Sequence, residues 1–421
     1  MSQTTIASGS DQSVVLQSVG LFAANLQRNT GWNRMSGPMS KQTDAEGTIR
    51  WKSTNKMPIV RVQDLSVKAG GEVTFDLLNP FQAQPIMGDA VAIGNESRMT
   101  FTADRLRINQ ARFPISAGGE MTQQRTPHEL KKLAQEQALS VFSRYTDQAC
   151  QVHLAGARGF ANDVNWCIPL ASDANFANVM VNTVRAPTRN RHFLSTGSGI
   201  ESVPTGGYTI ATTDVFNSDV VDAIATELES AVIQIPGVEF PDDKAAQDSP
   251  VRVLMVTPQQ YNSFVKSTNY RTYLAQAVAR GQMAKNCPVF MNDSLLFRGI
   301  LIVKQQRPIR FYPGDAVQWC AATTSATETA GAIPALGTGW AVDRAILLGG
   351  QALAEGYGKH RMSGGSYFTA EEMTDFENQY SYLIGEVAGR SKIRFLVDHG
   401  DSMQYTDNGV MVIDTAVSLT V

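Results

Sequence analysis

Hydrophobic positions along the chain change period several times, and each change marks a structural element. From Ile59 to Ser116 the period is two. Val73, Phe75 and Leu77 alternate with Thr74 and Asp76, and Leu106 and Ile108 alternate with Arg105, Arg107 and Asn109. Phe113 and Ile115 continue the signal after Arg112. A period of two is the mark of strands. Gly70-Gly71, Asn79-Pro80, Gly88-Asp89 and Gly94-Asn95 supply turn chemistry between them. The stretch reads as a long hairpin-like excursion with a charged outer face. Two strands alone are marginal in water, so it must pack on a core or reach a neighbour.

The period then lengthens. Thr126-Pro127-His128-Glu129 has the form of an N-cap, a proline at the first helical position and a glutamate at the third. Leu130, Leu133, Ala134, Leu139, Phe142, Tyr145, Ala149, Val152 and Leu154 follow as a broad apolar face, with no Gly or Pro before Gly156. This spacing predicts one helix over 126–155, roughly 40 Å long. Residues 157–207 read as loop, with Arg185, Arg189 and Arg191 clustered in it. Thr212, Thr213 and Asp214 open a second helix whose buried stripe is Val220, Val221, Ile224 and Leu228.

A polar linker over 241–250 leads to the apolar run Val251 to Val256, a central strand, and Thr257-Pro258-Gln259-Gln260 starts another helix. A third helix is expected over 270–280. Leu295 to Phe297 and Ile300 to Val303 form a strand pair around Arg298-Gly299, with Ile309 to Tyr312 following. Ala321 to Gly339 reads as an exposed loop, and Ala345 to Leu348 as a short buried strand. Thr369-Ala370-Glu371-Glu372 caps a predicted helix running through Phe376, Tyr380 and Leu383-Ile384. Strands at Ile393 to Val397 and Val410 to Ile413 close the chain. Residues 1–58 read as an arm, with a disordered tail as the alternative: an apolar helical stretch from Val14 to Leu26, with Trp32 and Trp51 as anchors, buries too little to stand alone. The sum is an α+β protein with no βαβ series and no internal repeat.

Composition narrows the function. A chain of 421 residues, 43% hydrophobic, has material for two or more packing units. A formal net charge of -3 argues against a protein whose main work is neutralising nucleic-acid phosphates. No run approaches ~20 apolar residues, so no membrane span is expected, and the first residues carry no basic signal-peptide region. Cys150, Cys167, Cys287 and Cys320 lack the spacing of a zinc or redox site. His128, His153, His192, His360 and His399 form no HExxH pair; His153, near the end of the long helix, sits where the dipole favours a cation.

Nucleophile-elbow and phosphate-loop patterns are absent. Asp214, Asp219 and Asp222, and the pair Asp242-Asp243, read as solvated carboxylates rather than an acid-base couple. No catalytic, cofactor-binding or metal residue, and no cofactor, is expected. The arginines Arg105, Arg107, Arg112, Arg125, Arg185, Arg189 and Arg191 carry more information, because a guanidinium can pair bidentately with a carboxylate of a neighbouring subunit, although plain surface solvation is an equally good reading for any one of them.

The run Gly88-Asp89, Gly94-Asn95-Glu96, Met99-Thr100-Phe101, Asp104, Ile108-Asn109-Gln110-Ala111-Arg112, Gly118-Gly119-Glu120-Met121 and Gln124-Arg125-Thr126 resembles a signature of tailed-phage major capsid proteins of the podoviral type. Residues 344–352, 368–398 and 409–415 are also similar to that family. The resemblance implies the HK97-like capsid fold, with an N-terminal arm (1–58), an extended β-hairpin loop (59–120) and a peripheral domain with its spine helix (121–169). A mainly axial domain (170–345) and a C-terminal return to the peripheral domain (346–421) complete it. The implied function is self-assembly as pentamers and hexamers into an icosahedral shell enclosing phage double-stranded DNA, without enzymatic activity. Implied partners are further copies, scaffold, portal and cement proteins, and packaged DNA held non-specifically, but no membrane. The implied location is the virion capsid, assembled in the bacterial host cytoplasm. Arg105, Arg107 and Arg112 on the extended loop become candidate intersubunit contacts. A portal, a cement protein or a soluble enzyme of unrecognised class are the alternative readings.

Overall fold

The computed structural model describes residues 36–38, 40–43, 49–52, 57–62, 71–78, 87, 101–126, 128–162, 165–204, 207–231, 233–238, 251–267, 295–305, 307–376, 378–398 and 402–420. The helical stretch expected at Val14 to Leu26, the linker 241–250 and the helix expected over 270–280 lie outside them.

Two sheets organise the chain. The larger runs Leu295–Phe297, Ile300–Lys304, Arg252–Val256, Trp340–Leu348, Val410–Ser418, His192–Ser195, Ile200–Ser202, with Arg310–Phe311 also paired to Trp340–Leu348. Its central strands are apolar at nearly every position because both faces are covered. Val253 and Met255 face one core with Leu301, Val303, Val342, Ile346 and the helix residues Cys150 and Leu154. Leu254 and Val256, one residue out of phase, face the other core with Ile300, Ile302, Leu347, Ile413 and Phe264. The expected central strand and the tight Arg298-Gly299 hairpin are both present. So is the capping box at Thr257, where Gln260 and Thr257 satisfy each other's backbone donors.

The second helix carries its predicted stripe of Val220, Val221, Ile224 and Leu228 into the second core. It begins later than expected, at Ser218, capped by Asn217, which accepts the Val220 N–H at 3.0 Å. Asp214 instead closes a turn upstream by accepting the Ala211 N–H at 2.7 Å. The 157–207 segment is less loop-like than expected, since His192–Ser195 joins the large sheet in parallel with Val410–Ser418. Part of Ala321 to Gly339 is likewise a strand, Glu328–Ala332, paired with Ala316–Cys320.

The smaller sheet is built on the long strand Gln379–Lys392. Asn109–Gly119 pairs along one side of it, and Leu353–Tyr357 and Tyr367–Thr374 follow one another along the opposite side. Here the predicted helix beginning at Thr369 is overturned. Tyr367–Thr374 and Gln379–Lys392 form an antiparallel pair, with Thr369 opposite Ile384. Phe376, Tyr380 and Ile384 are spaced by four, which fits a helical face, but Tyr380 and Ile384 share one face of the strand and Phe376 falls in the turn before it. The Tyr- and Thr-rich composition favours the strand.

The long helix Leu130–Ala155 bridges the two sheets. Its middle residues Ala138 and Phe142 pack on Tyr357, Tyr367, Tyr382 and Ile384, while Cys150, Leu154 and Ala155 lie in the core under the large sheet. The last two turns are buried all round, and their glutamines are satisfied by neighbouring loops. Gln148 donates to Asn165 O at 2.9 Å and accepts the Cys167 N–H at 2.6 Å, and Gln151 donates to Arg307 O at 2.6 Å. The predicted capping box at its start does not form. A short helix, Glu120–Gln124, intervenes, and Gln123 does the capping by accepting the Leu130 N–H at 3.0 Å. Leu133, expected on the apolar face, is 43% exposed.

Charge is buried where strands and helix meet. Asp414 accepts from Arg344 Nε and Nη2, each at 2.7 Å, from His192 Nε2 at 2.7 Å and from the Tyr208 hydroxyl. Arg344 Nη1 also donates to Ala155 O at 2.9 Å, so the helix end is tied into the same cluster. Burial pushes the Asp414 carboxyl up, but Arg344 and His192 outweigh it and hold it well below the usual carboxylate range. Asp407, facing Lys392 and Arg394 at 2.7 Å each, is depressed for the same reason. Burial lowers Lys392 to about 8, against the pull of Asp407. In the smaller sheet Arg390 pairs with Glu386 at 2.8 Å and with Glu355 at 2.9 Å.

His153 departs from expectation. Burial, opposed by a 3.3 Å contact to Met180 O, lowers it to about 3, so it is neutral despite its place at the helix end. As pH falls below the unfolded value of about 6.5, the unfolded chain binds a proton that the folded chain refuses. Stability therefore declines from pH 6.5 toward pH 3, by about 1.4 kcal/mol per pH unit from this residue. The depressed carboxylates add their loss below pH about 4. His153→Gln keeps a donor toward Met180 and removes the titration. Urea unfolding from pH 7 to pH 4 is expected to show a flatter decline for the variant; an identical slope refutes the assignment.

Candidate assembly interface

The period-two stretch contains a two-stranded ribbon, Glu72–Leu78 paired with Phe101–Arg107, from Glu72 opposite Arg107 to Leu78 opposite Phe101. Ile108 N–H donates to Gly71 O at 3.1 Å, closing the neck where the ribbon leaves the body. The next strand, Asn109–Gly119, is already part of the smaller sheet.

The inner side of the ribbon is fastened at its root. Leu106 is fully buried in a cluster with Ala354, Ile393, Phe395 and Val397. Asp104 accepts a bidentate pair from Arg185, at 3.0 and 2.9 Å, and the backbone N–H of Arg394 at 2.9 Å. Arg185 also donates to Ser391 Oγ at 3.0 Å and to Lys392 O. Asn182 mimics a strand edge: it accepts the Arg107 N–H and donates to Arg107 O, both at 2.9 Å, and reaches Arg390 O at 3.0 Å. Backbone crosses backbone here, because a Cβ on Gly389 would lie 1.8 Å from Arg107 O. Only glycine tolerates that approach.

The outer side is cationic. Alternation in Phe101–Arg107 sends Thr102, Asp104 and Leu106 inward and leaves Ala103, Arg105 and Arg107 exposed. Arg105 and Arg107 line a groove of about 340 Å³ with Glu72, Asn182, Thr183 and Arg185. Arg107 Nε meets Glu72 at 2.7 Å, but its side chain is 70% exposed, and such a pair adds little stability. Arg105 and Arg112 are exposed and have no side-chain partner among the described residues. The structure brings Arg105 and Arg107 into one groove, and puts Arg112 on the adjoining strand of the smaller sheet.

Of the other arginines singled out in the sequence, Arg125 is exposed, and three are used within the chain. Arg185 holds Asp104, Arg189 donates to Ala321 O at 2.6 Å, and the buried Arg191 donates to Ile233 O at 2.6 Å. Reading them as free for a neighbour is corrected: a loop that must cross a sheet edge needs donors for the carbonyls it passes. Sequence reasoning missed Asn182 and Gly389. No local pattern marks an asparagine whose partners are 75 residues away in sequence.

A family model described as phage capsid protein matches residues 5–419. The chain belongs to the phage capsid protein family. Solved structures agree on the fold. The capsid of Ralstonia phage GP4 superposes with a TM-score of 0.63 at 24% identity, covering 99% of this chain and 98% of that one. The cyanophage Pam1 capsid gives 0.59 at 14% identity, over 86% and 89% of the two chains. The head of Helicobacter pylori bacteriophage KHP40 gives 0.52 at 6% identity, over 86% and 87%. No curated protein sequence matches the chain. This capsid protein therefore has a fold related to the HK97-like phage capsids, and its place is the viral capsid.

The root of the ribbon generates a local test. Losing the bidentate Asp104–Arg185 pair removes roughly 1.5–3 kcal/mol of charge-assisted bonding. Asp104→Asn is expected to raise hydrogen exchange of the ribbon amides about tenfold or more, while the large sheet keeps its protection. Equal exchange in variant and wild type would show that Asp104 does not hold the ribbon.

Proposed function

We propose that the chain is the major shell subunit, which self-assembles as pentamers and hexamers into an icosahedral shell around double-stranded DNA. The observation that carries this reading is the ribbon, bolted at its root and cationic on its outward side. An element held at a fixed angle from its own body, with side chains directed away from it, is built to meet another chain. On this reading 59–120 is the extended loop, Leu130–Ala155 is the spine of a peripheral domain over 121–169, and 170–345 is mainly the axial domain. Residues 346–421 return to the peripheral domain, and 1–58 form the arm. The activity is assembly, with no catalytic step and no cofactor. Scaffold, portal and cement proteins are the expected virion partners, DNA is touched non-specifically, and assembly takes place in the host cytoplasm.

Arg105, Arg107 and Arg112 act as intersubunit contacts, pairing with carboxylates of the adjacent copy. Many modest contacts of this kind sum to a closed shell. Charge reversal at all three positions to glutamate is expected to abolish shells in negative-stain micrographs of expressed protein. Circular dichroism and the melting temperature should stay close to wild type, because these side chains are exposed. Shells of normal yield from the triple variant would remove these arginines from the interface.

A further inference from the structure

Two exposed patches lie on the smaller sheet, separated by the strand Tyr367–Thr374. One is the tip joining it to Gln379–Lys392. Phe376 there is completely exposed at 104%, beside Met373 at 54%, with Glu372 and Asp375 also exposed. Asp375 and Phe376 have φ of 55° and 51°, a left-handed conformation that costs non-glycine residues about 1 kcal/mol or more each. The tip is nevertheless braced: Asn378 donates to Asp375 at 3.2 Å, and its carbonyl accepts the Glu120 N–H at 3.1 Å. A strained, braced turn that presents a whole phenyl ring to solvent is poorly explained by the monomer.

The second patch is the excursion 358–366, which leaves the same side of Gln379–Lys392 between two strands. Lys359, Arg361 and Met362 are exposed on it, Met362 at 64%. This loop is also rigid. Val387 holds both of its ends (Gly358 N–H to Val387 O, and Val387 N–H to Ser366 O, each 2.8 Å), and the His360 ring stacks on Phe368 at 4.1 Å. One patch is apolar and acidic, the other apolar and basic. Glu371, near the tip, is already paired with Lys131 at 3.0 Å, so the acids on offer are Glu372 and Asp375.

We propose that the tip of one copy seats on the 358–366 loop of the next copy. Phe376 packs on Met362, and Glu372 and Asp375 face Lys359 and Arg361. The proposal rests on the shell reading above. Thioether and aromatic surfaces make a favourable contact, and the charges set its orientation. The strand between the patches holds them roughly 25 Å apart, so they cannot meet within one chain, and a second copy is the occupant that offers both. The patches are different surfaces, so the contact is head-to-tail and closes rings rather than pairs.

Cysteine cross-linking tests this with the full chain. Phe376→Cys and Met362→Cys proteins, mixed and oxidised, are expected to give one disulfide-linked dimer band on a non-reducing gel. The variant with both changes in one chain should give a ladder, each above the background set by wild type with its own cysteines. Phe376→Ser, and separately Glu372→Lys with Asp375→Lys, should lose shells while keeping the wild-type melting temperature. Adding Lys359→Glu and Arg361→Glu to the acidic-to-basic pair should restore them. Cross-links without shells from wild type would defeat the shell reading and leave the seat standing. Shells without cross-links, together with normal assembly of Phe376→Ser, would overturn the seat and leave the shell reading standing.

Discussion

Asp414 is a charged group with no access to water, and the fold is arranged around keeping it satisfied. Its partners come from two strands and one loop: Arg344, His192 and Tyr208 converge on a carboxylate carried by a third strand, Val410–Ser418. Arg344 spends a further donor on the carbonyl that ends the long helix. An uncompensated ion in this environment costs several kcal/mol, so none of these elements shifts without the others. The lone pairs of Asp414 are filled by His192 Nε2 as well as by the guanidinium, and burial lowers the pKa of that histidine. The Asp407 and Glu355 clusters repeat this arrangement where the two sheets meet and within the smaller one. Together they make helix and sheets one stiff body.

That stiffness gives the ribbon its meaning. A projecting hairpin on a soft body would average over many angles and lose contact energy to entropy each time it docked. Here Asp104, Asn182 and Leu106 fix the root against strands that the buried ion clusters already hold. The exposed arginines are then displayed from a defined platform. The same holds for the tip at Phe376, braced through Asn378 against the short helix that precedes the long one.

Much of the fold was legible in the sequence where burial imposes a clean period. Arg252–Val256, apolar on both faces, read correctly as a central strand, and the Thr257 capping box formed as written. The long helix was legible over most of its length, though its start was displaced by Gln123, whose capping role depends on a turn that no motif announces. The predicted helix after Thr369 failed because a spacing of four satisfies periods of both 3.6 and two. Pairing decides between them, with Tyr367–Thr374 on one side and with Asn109–Gly119, more than 250 residues away, on the other. Of the candidate contact residues, the outward alternation of Arg105 and Arg107 was visible. The consumption of Arg185, Arg189 and Arg191 inside the chain was not, since the Asp104 carboxylate lies 81 residues from Arg185 and the carbonyl acceptors of the other two leave no trace in side-chain patterns.

The crossing at Gly389 has a mechanical meaning. Where Arg107 O presses on a residue without a side chain, no compressible cushion lies between ribbon and sheet, and Asn182 bonds to both backbones at that point. Asp104 and Leu106 hold the same root beside that crossing, so the strand neither slides nor swings there without breaking a contact. A force on the ribbon therefore reaches the sheet through backbone rather than through side chains.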